Sequence, residues 1–399
     1  MRHLAAFCLL FPLLLLTELV TGAPSSSLQE YNRRSSKSIL LKTRRVNKPT
    51  LRRRQDDGDS FLTTIAWDPT ESQYEISVGI GTPLQDILLV VDTGSSDTWA
   101  FPPDLCSITP NCFWSFDPDQ SSTYEVVGSG AFSITYEEGT SVASGDFFKD
   151  TASFEGGVQV EDVQFGLATA ITGNLSYGVA GLGFDTNEAE PGYPDLIDML
   201  VSSGTIDTPL FSLWSDLIGP DSGGYILFGG VDETAYKGDI VWRPMVADDD
   251  GVYREYAITL TGWGTTADPP KQLVPVDVKL DMLLDSGTTN IVVPQDMYNA
   301  IVGYLPFAVN NGNVDCTGIP AGSVDFYFGD ELKISIPFQA LVLPLSPGSD
   351  SCFFGIEVAS EGGWLILGDT FLQNAYVAFD LANYRFGIAP TNYGPTDSS

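Results

Sequence analysis

From Trp67 onward the chain is a succession of short apolar runs rich in Val, Ile, Phe, Tyr and Thr, each closed by Gly, Pro, Asp or Asn. Tyr74 to Ile80, Asp86 to Val91, Tyr225 to Phe228 and Trp364 to Leu367 are examples. Runs of this make-up suit strands, and 40 Gly and 25 Pro supply the turns between them. Helical periodicity is scarce, with modest stretches at Pro194 to Ser202 and Gln295 to Val302, so short helices should decorate the sheets. The expected class is therefore all-β. At 399 residues, 43% hydrophobic and only 18% charged, the chain has apolar material for a large core and length for two or three domains.

The N-terminal region has a different composition. Arg2 and His3 lead an apolar run from Leu4 to Leu16, and small residues follow at Thr21, Gly22 and Ala23. Residues 1–22 read as a signal peptide, because the run is shorter than the roughly 20 residues a membrane-spanning helix needs. A basic, Ser-rich stretch comes next, with Arg33-Arg34, Arg44-Arg45 and Arg52-Arg53-Arg54, before the composition turns acidic at Asp56-Asp57. Residues 23–54 read as a removable pro-segment cut after Arg54; a solvated basic tail is the alternative. The polar string Gly394 to Ser399 lacks the hydrophobic tail of a lipid-anchor signal. A secreted, extracellular protein without membrane attachment is expected.

The chain carries 19 Lys+Arg against 52 Asp+Glu, a formal net charge of −33. Residues 1–54 hold 11 of the basic and 2 of the acidic residues, so 8 and 50 remain and the mature charge would be −42. Such a surface argues against nucleic acid as a partner, and its self-repulsion relaxes in an acidic medium. The one His, His3, leaves with the signal peptide. Ser-His-Asp and Cys-His catalysis and imidazole-ligated metals are thereby excluded from the mature chain. Cys8 leaves too, and the even set Cys106, Cys112, Cys316 and Cys352 implies disulfides in a secreted protein. Three connectivities are open, the local one closing one loop in each half; a four-Cys zinc site competes, although no C-x₂-C pair is present. No metal or cofactor is expected.

One pattern recurs. Asp92-Thr93-Gly94-Ser95-Ser96 follows the apolar run Ile87 to Val91, and Asp285-Ser286-Gly287-Thr288-Thr289 follows Met282 to Leu284, 193 residues later. A buried strand ending in Asp, a small hydroxyl residue and Gly delivers a carboxylate to a tight turn whose N–H groups and hydroxyls can hydrogen-bond it. A third Asp-Ser-Gly, at Asp221, follows the turn-like Ile218-Gly219-Pro220 and reads as a loop.

With these two motifs the chain closely resembles the pepsin-like aspartic proteases (peptidase family A1), the secreted fungal type in particular, from about Tyr74 to Pro390. Phe116 to Tyr124 resembles the turn after the first active-site loop, and Ser133 to Tyr136 with Gly139 the hairpin flap. Trp99 stands where the family has the Trp bonded to the flap Tyr. Val179-Ala180-Gly181 and Ile366-Leu367-Gly368-Asp369 resemble the apolar segments beneath the catalytic loops. The sequence departs from the family at Tyr177-Gly178, where an Asp is common, and at Glu137-Glu138 in the flap.

The resemblance implies two β-lobes related by a pseudo-two-fold axis, about residues 55–215 and 216–399, each supplying one Asp to a shared cleft. Asp92 and Asp285 would be catalytic, flanked by Gly94 and Gly287. Ser95 and Thr288 would bond their outer oxygens, Thr93 and Ser286 would brace the two loops, and Tyr136 would close over the substrate. Two carboxylates roughly 3 Å apart at an effective dielectric of about 20 repel by ~5 kcal/mol, so the pair holds one proton over an acidic window. Polypeptide substrates with hydrophobic residues around the cut, inhibition by pepstatin-like compounds and a monomeric state are implied. Val90, Trp99 and Tyr136 would supply apolar lining, with Val179 nearby. Glu138 occupies a flap position where some fungal relatives accept Lys before the cleaved bond, with Thr140 as a hydroxyl partner. Asn174-Leu175-Ser176 is a glycosylation sequon. An inactive pepsin-like binding protein and a secreted glycoside hydrolase are the rival readings.

Overall fold

Each of two sheets carries a strand that leads into one of the two Asp-containing turns. In the computed structural model the described residues are 60–68, 73–136, 139–190, 192–216, 223–267, 273–345 and 351–392. They fall within one compact unit, Leu51–Ser399. The signal peptide, the pro-segment and its cleavage site, Glu137, Glu138, Asp221 and Ser222 lie outside the described residues.

A thirteen-stranded sheet carries Gln85–Asp92 near its middle. This strand pairs antiparallel with Gln73–Ile80 and parallel with Gly178–Gly181, so Val90 and Val91 lie between two neighbours and are buried. Continuous apolar runs suit such doubly covered strands. Beyond Gly178–Gly181 the sheet continues through Trp99–Ala100 and the long strands Val158–Thr172, Ser141–Phe154 and Glu125–Tyr136. In the other direction Leu210–Asp216 pairs with Ala375–Asp380, which pairs with Arg385–Pro390. Strands from both ends of the described chain thus share one sheet.

A seven-stranded sheet is built on Ala257–Ala267 and Leu273–Leu284. Its strand Leu273–Leu284 pairs parallel with Ile366–Leu367, repeating the relation between Gln85–Asp92 and Gly178–Gly181. One apolar cluster runs between the sheets, with Phe211 stacked on Phe379 at a ring separation of 4.5 Å.

The all-β expectation stands, with helices at Leu196–Ser202 and Gln295–Tyr304 where periodicity placed them. Asp195 caps the first by accepting the Asp198 N–H at 2.8 Å. Helices Pro103–Ile108 and Asp369–Leu372 are too short to show a period and were not anticipated. The strand expected from Trp364 is confined to Ile366–Leu367, the two residues with a sheet partner on each side. Trp364 lies in the preceding loop, 55% exposed. The cysteines pair locally, Cys106 with Cys112 and Cys316 with Cys352.

Candidate active site

Asp92 ends its strand and is 6% exposed; Asp285 follows Leu273–Leu284 and is 8% exposed. Each turn satisfies its own carboxylate in the same way. Asp92 accepts the Gly94 N–H at 2.8 Å on Oδ1 and the Ser95 hydroxyl on Oδ2. Asp285 accepts the Gly287 N–H at 2.8 Å on Oδ1 and the Thr288 hydroxyl at 2.7 Å on Oδ2.

The turns also hold one another. The Thr93 N–H donates to Ser286 Oγ at 3.1 Å, and the Ser286 N–H to Thr93 Oγ1 at 3.0 Å. Each hydroxyl then donates to the strand beneath the opposite turn, Thr93 to the Leu284 carbonyl at 2.7 Å and Ser286 to the Val91 carbonyl at 2.8 Å. Both hydroxyls are buried and fully used, so the loops are fixed by bonds that water cannot replace.

The glycines are required by the approach of the opposite carboxyl. A Cβ on Gly94 would lie 2.6 Å from Asp285 Cγ, and one on Gly287 would lie 2.5 Å from Asp92 Oδ1. Each carboxyl thus lies against the glycine of the opposite turn, which brings the two acids close to one another. Burial first, and the neighbouring Asp285 charge second, raise the Asp92 pKa well above the ordinary carboxylate range, with Ser95 and Gly94 pulling the other way. Such a pair holds a proton where isolated carboxylates would have lost theirs.

Tyr136 closes the strand Glu125–Tyr136 and is half-buried. Its hydroxyl accepts the Trp99 indole N–H at 2.8 Å. Val90, Trp99 and Val179 belong to an apolar cluster with Phe101, Phe132, Phe147 and Tyr177. Trp99 is wholly buried and Val179 is 6% exposed, as little as Asp92 itself. Trp99 pairs in the sheet with both Gly166 and Val179. Thr140 is exposed beyond the hairpin strand, and Asn174 is exposed after Val158–Thr172. At the Tyr177-Gly178 departure, a Cβ on Gly178 would lie 2.4 Å from the Trp99 carbonyl, so this wall is fitted to a glycine.

Asp369 closes the segment from Ile366 already noted in the sequence, without a role of its own, and Asp97 carried no signal there. Asp369, 1% exposed, has no hydrogen-bond partner on either oxygen among the described residues. Burial, then the charges of Asp285 and Asp92, raise its pKa well above the ordinary value. Asp97 is wholly buried. Asp97 sits in no pattern distinct from an ordinary turn Asp; only the distant packing marks it. Among the described residues no Cys, His, Asp and Glu group is arranged to hold a metal ion.

Residues 73–391 match the eukaryotic aspartyl protease family. The chain is 35% identical over 355 residues to "Probable aspartic-type endopeptidase opsB" of Aspergillus oryzae, covering 82% of this chain and 70% of that one. It is 31% identical over 386 residues to "Barrierpepsin" of Saccharomyces cerevisiae, covering 86% and 64%. It is 30% identical over 338 residues to "Secreted aspartic protease 3" of Candida albicans, covering 80% of each. The crystal structure of the aspartic proteinase from Irpex lacteus shares the fold at a TM-score of 0.67 and 21% identity, covering 85% of this chain and 100% of that one.

Proposed function

Because the chain belongs to the eukaryotic aspartyl protease family and is thus an aspartic-type endopeptidase, we propose that Asp92 and Asp285 are the pair that performs its hydrolysis. The observation that carries the reading is the reciprocal geometry of the two turns. Each carboxyl is held by a Gly N–H and a hydroxyl, and each turn is locked to the other.

With one proton between them, the ionised carboxyl takes a proton from a water held by both. The protonated carboxyl donates a hydrogen bond to the scissile carbonyl and polarises it. Attack gives a tetrahedral diol, and return of the proton to the leaving nitrogen breaks the C–N bond. The Gly and hydroxyl donors keep each carboxyl oriented while charge moves between them. Tyr136, held by Trp99, closes over the substrate and limits access of further water.

The substrates are polypeptides cut between hydrophobic residues, with Lys accepted before the bond if Glu138 faces the cleft. The kinship with a secreted protease and the sequence of residues 1–22 support export, followed by release of the basic pro-segment.

Asp92→Asn and Asp285→Asn should each lower kcat by at least about 10²- to 10⁴-fold while leaving the thermal unfolding midpoint near that of the parent. Pepstatin should inhibit the parent. Retained activity in either purified variant would overturn the assignment.

A further inference from the structure

Behind the loop that carries Asp92 lies a second group of carboxyls that the hydrolysis does not use. Asp97 accepts the Ala189 N–H at 2.8 Å on Oδ2 and the Tyr193 hydroxyl at 2.5 Å on Oδ1. The stretch it holds continues from Gly178–Gly181 through the short 3₁₀ turn Asp185–Asn187. Two further bonds join this stretch to the loop: the Ser96 hydroxyl donates to the Phe184 carbonyl at 2.7 Å, and the Gly183 N–H to the Ser95 carbonyl at 2.8 Å. Ser95 is the residue whose hydroxyl donates to Asp92, so the tether ends one bond from the carboxyl pair.

Glu188 sits inside this tether, 7% exposed, and neither of its oxygens has a hydrogen-bond partner among the described residues. Among the described residues the charged groups facing it are all acidic: Asp97 from the loop, Asp195 from the cap of Leu196–Ser202 and Asp185 from its own turn, with the Tyr193 phenol beside them. The Tyr193 N–H is the smallest influence and the one favouring the ionised form. An ionised carboxylate without a donor is costly in such a place, and a protonated one costs far less.

We propose that Asp97 is a positioning residue that clamps the Asp92 loop to residues 185–190 and Tyr193, and that the clamp holds only while Glu188 carries a proton. Its effect on rate rests on the reading of Asp92 as half of the catalytic pair; its effect on structure does not.

Burial, then Asp97, then Asp195 and Asp185, push the Glu188 pKa up from 4.5 to about 9. A carboxyl raised on folding contributes stability that is complete below its unfolded pKa and is lost as pH rises towards its folded one. The clamp is therefore tight in acid and weakens from about pH 5 upward. For one proton, the opening equilibrium grows by up to about tenfold per pH unit.

Hydrogen exchange of the intact protein reads this directly. After correction for the intrinsic pH dependence of exchange, amides of residues 185–190 should open progressively between pH 5 and pH 8, while those of Gln85–Asp92 stay protected. Glu188→Gln should remove most of that dependence from the exchange at 185–190 and lessen the fall in kcat between pH 5 and pH 7, the part due to the shared proton of Asp92 and Asp285 remaining, with KM little changed. Asp97→Ala should lower kcat about tenfold at pH 4 with a smaller change in KM. Asp97→Asn, which still accepts from Ala189, should recover most of the loss. An unchanged pH dependence in Glu188→Gln, exchange at 185–190 indifferent to pH, or no recovery with Asn would overturn the clamp. If Glu188→Gln does not fold, exchange in the parent decides alone. If Asp92→Asn stays active, the catalytic reading fails while the exchange result still judges the clamp.

Discussion

Thr93 and Ser286, 193 residues apart, each give a main-chain N–H to the other's hydroxyl, at 3.1 and 3.0 Å. The same hydroxyls donate onward to Leu284 and Val91, so removing either leaves a buried N–H and a buried carbonyl unpaired. Each orphaned group costs about 1–3 kcal/mol. Ser286→Ala should lower stability by a few kcal/mol and cut kcat/KM at least about tenfold at a temperature where the variant remains folded. Unfolding scans and initial rates on a peptide substrate check both numbers; normal values would mean that the loops are fixed by something else.

Gly94→Ala places a methyl 2.6 Å from the Asp285 carboxyl carbon and should abolish activity by driving the carboxyls apart. Gly303→Ala is the control, because an added Cβ there meets nothing within 4 Å and the residue lies in Gln295–Tyr304. It should keep full activity and gain up to about 1 kcal/mol from helix propensity. A Gly94→Ala protein that still cuts would show that the close approach is not needed.

Asp195 is 4% exposed, and burial, then Asp198, push its pKa from 3.8 to about 7. Its protonated form is favoured on folding, so its contribution is complete below about pH 4 and is lost as pH rises to about 7. Asp195→Asn keeps a side chain that can accept the Asp198 N–H. The variant should match the parent near pH 3 and unfold at a higher temperature at pH 7, by an amount on the order of a few kcal/mol. Melting curves across this range would reject the account if the two proteins differed equally at every pH.

The Cys316–Cys352 bridge closes a sequence separation of 36 residues, against 6 for Cys106–Cys112. Chain-entropy reasoning gives about 4 kcal/mol for the longer loop and about 2 kcal/mol for the shorter. The double change Cys316→Ala with Cys352→Ala should therefore lower the denaturant midpoint more than the corresponding change at Cys106 and Cys112. The reverse order would point to native packing rather than loop closure.

The Trp99–Tyr136 contact was implied by the family resemblance, whereas the two Asp turns and their strands were legible because each rests on a local pattern: an apolar run, a small hydroxyl residue and a glycine. The helices at Leu196 and Gln295 were legible for the same reason. Trp364 shows the limit of such patterns, since an apolar residue joins a strand only if a partner strand reaches it. The cluster that joins Val90 and Trp99 to Phe101, Phe132 and Phe147 is a matter of sheet packing that no local pattern spells out. Asp97 and Glu188 were not singled out, and Asp369 was read only as the end of the segment from Ile366. What distinguishes all three is the absence of solvent, and for Glu188 and Asp369 also of donors, set by segments far away in sequence, and no short motif records that.

The pairing of Leu210–Asp216 with Ala375–Asp380 has a consequence for the life of the chain. Asp285 likewise leans on Ile366–Leu367, which must be present before its strand is covered. During synthesis the ribosome releases Asp92 and then Asp285 long before these late strands emerge. For that interval the nascent polypeptide holds both acidic groups but lacks the sheet that brings them together. On the proposed reading of the two turns as the catalytic pair, activity should appear only once nearly all of the described chain has been made.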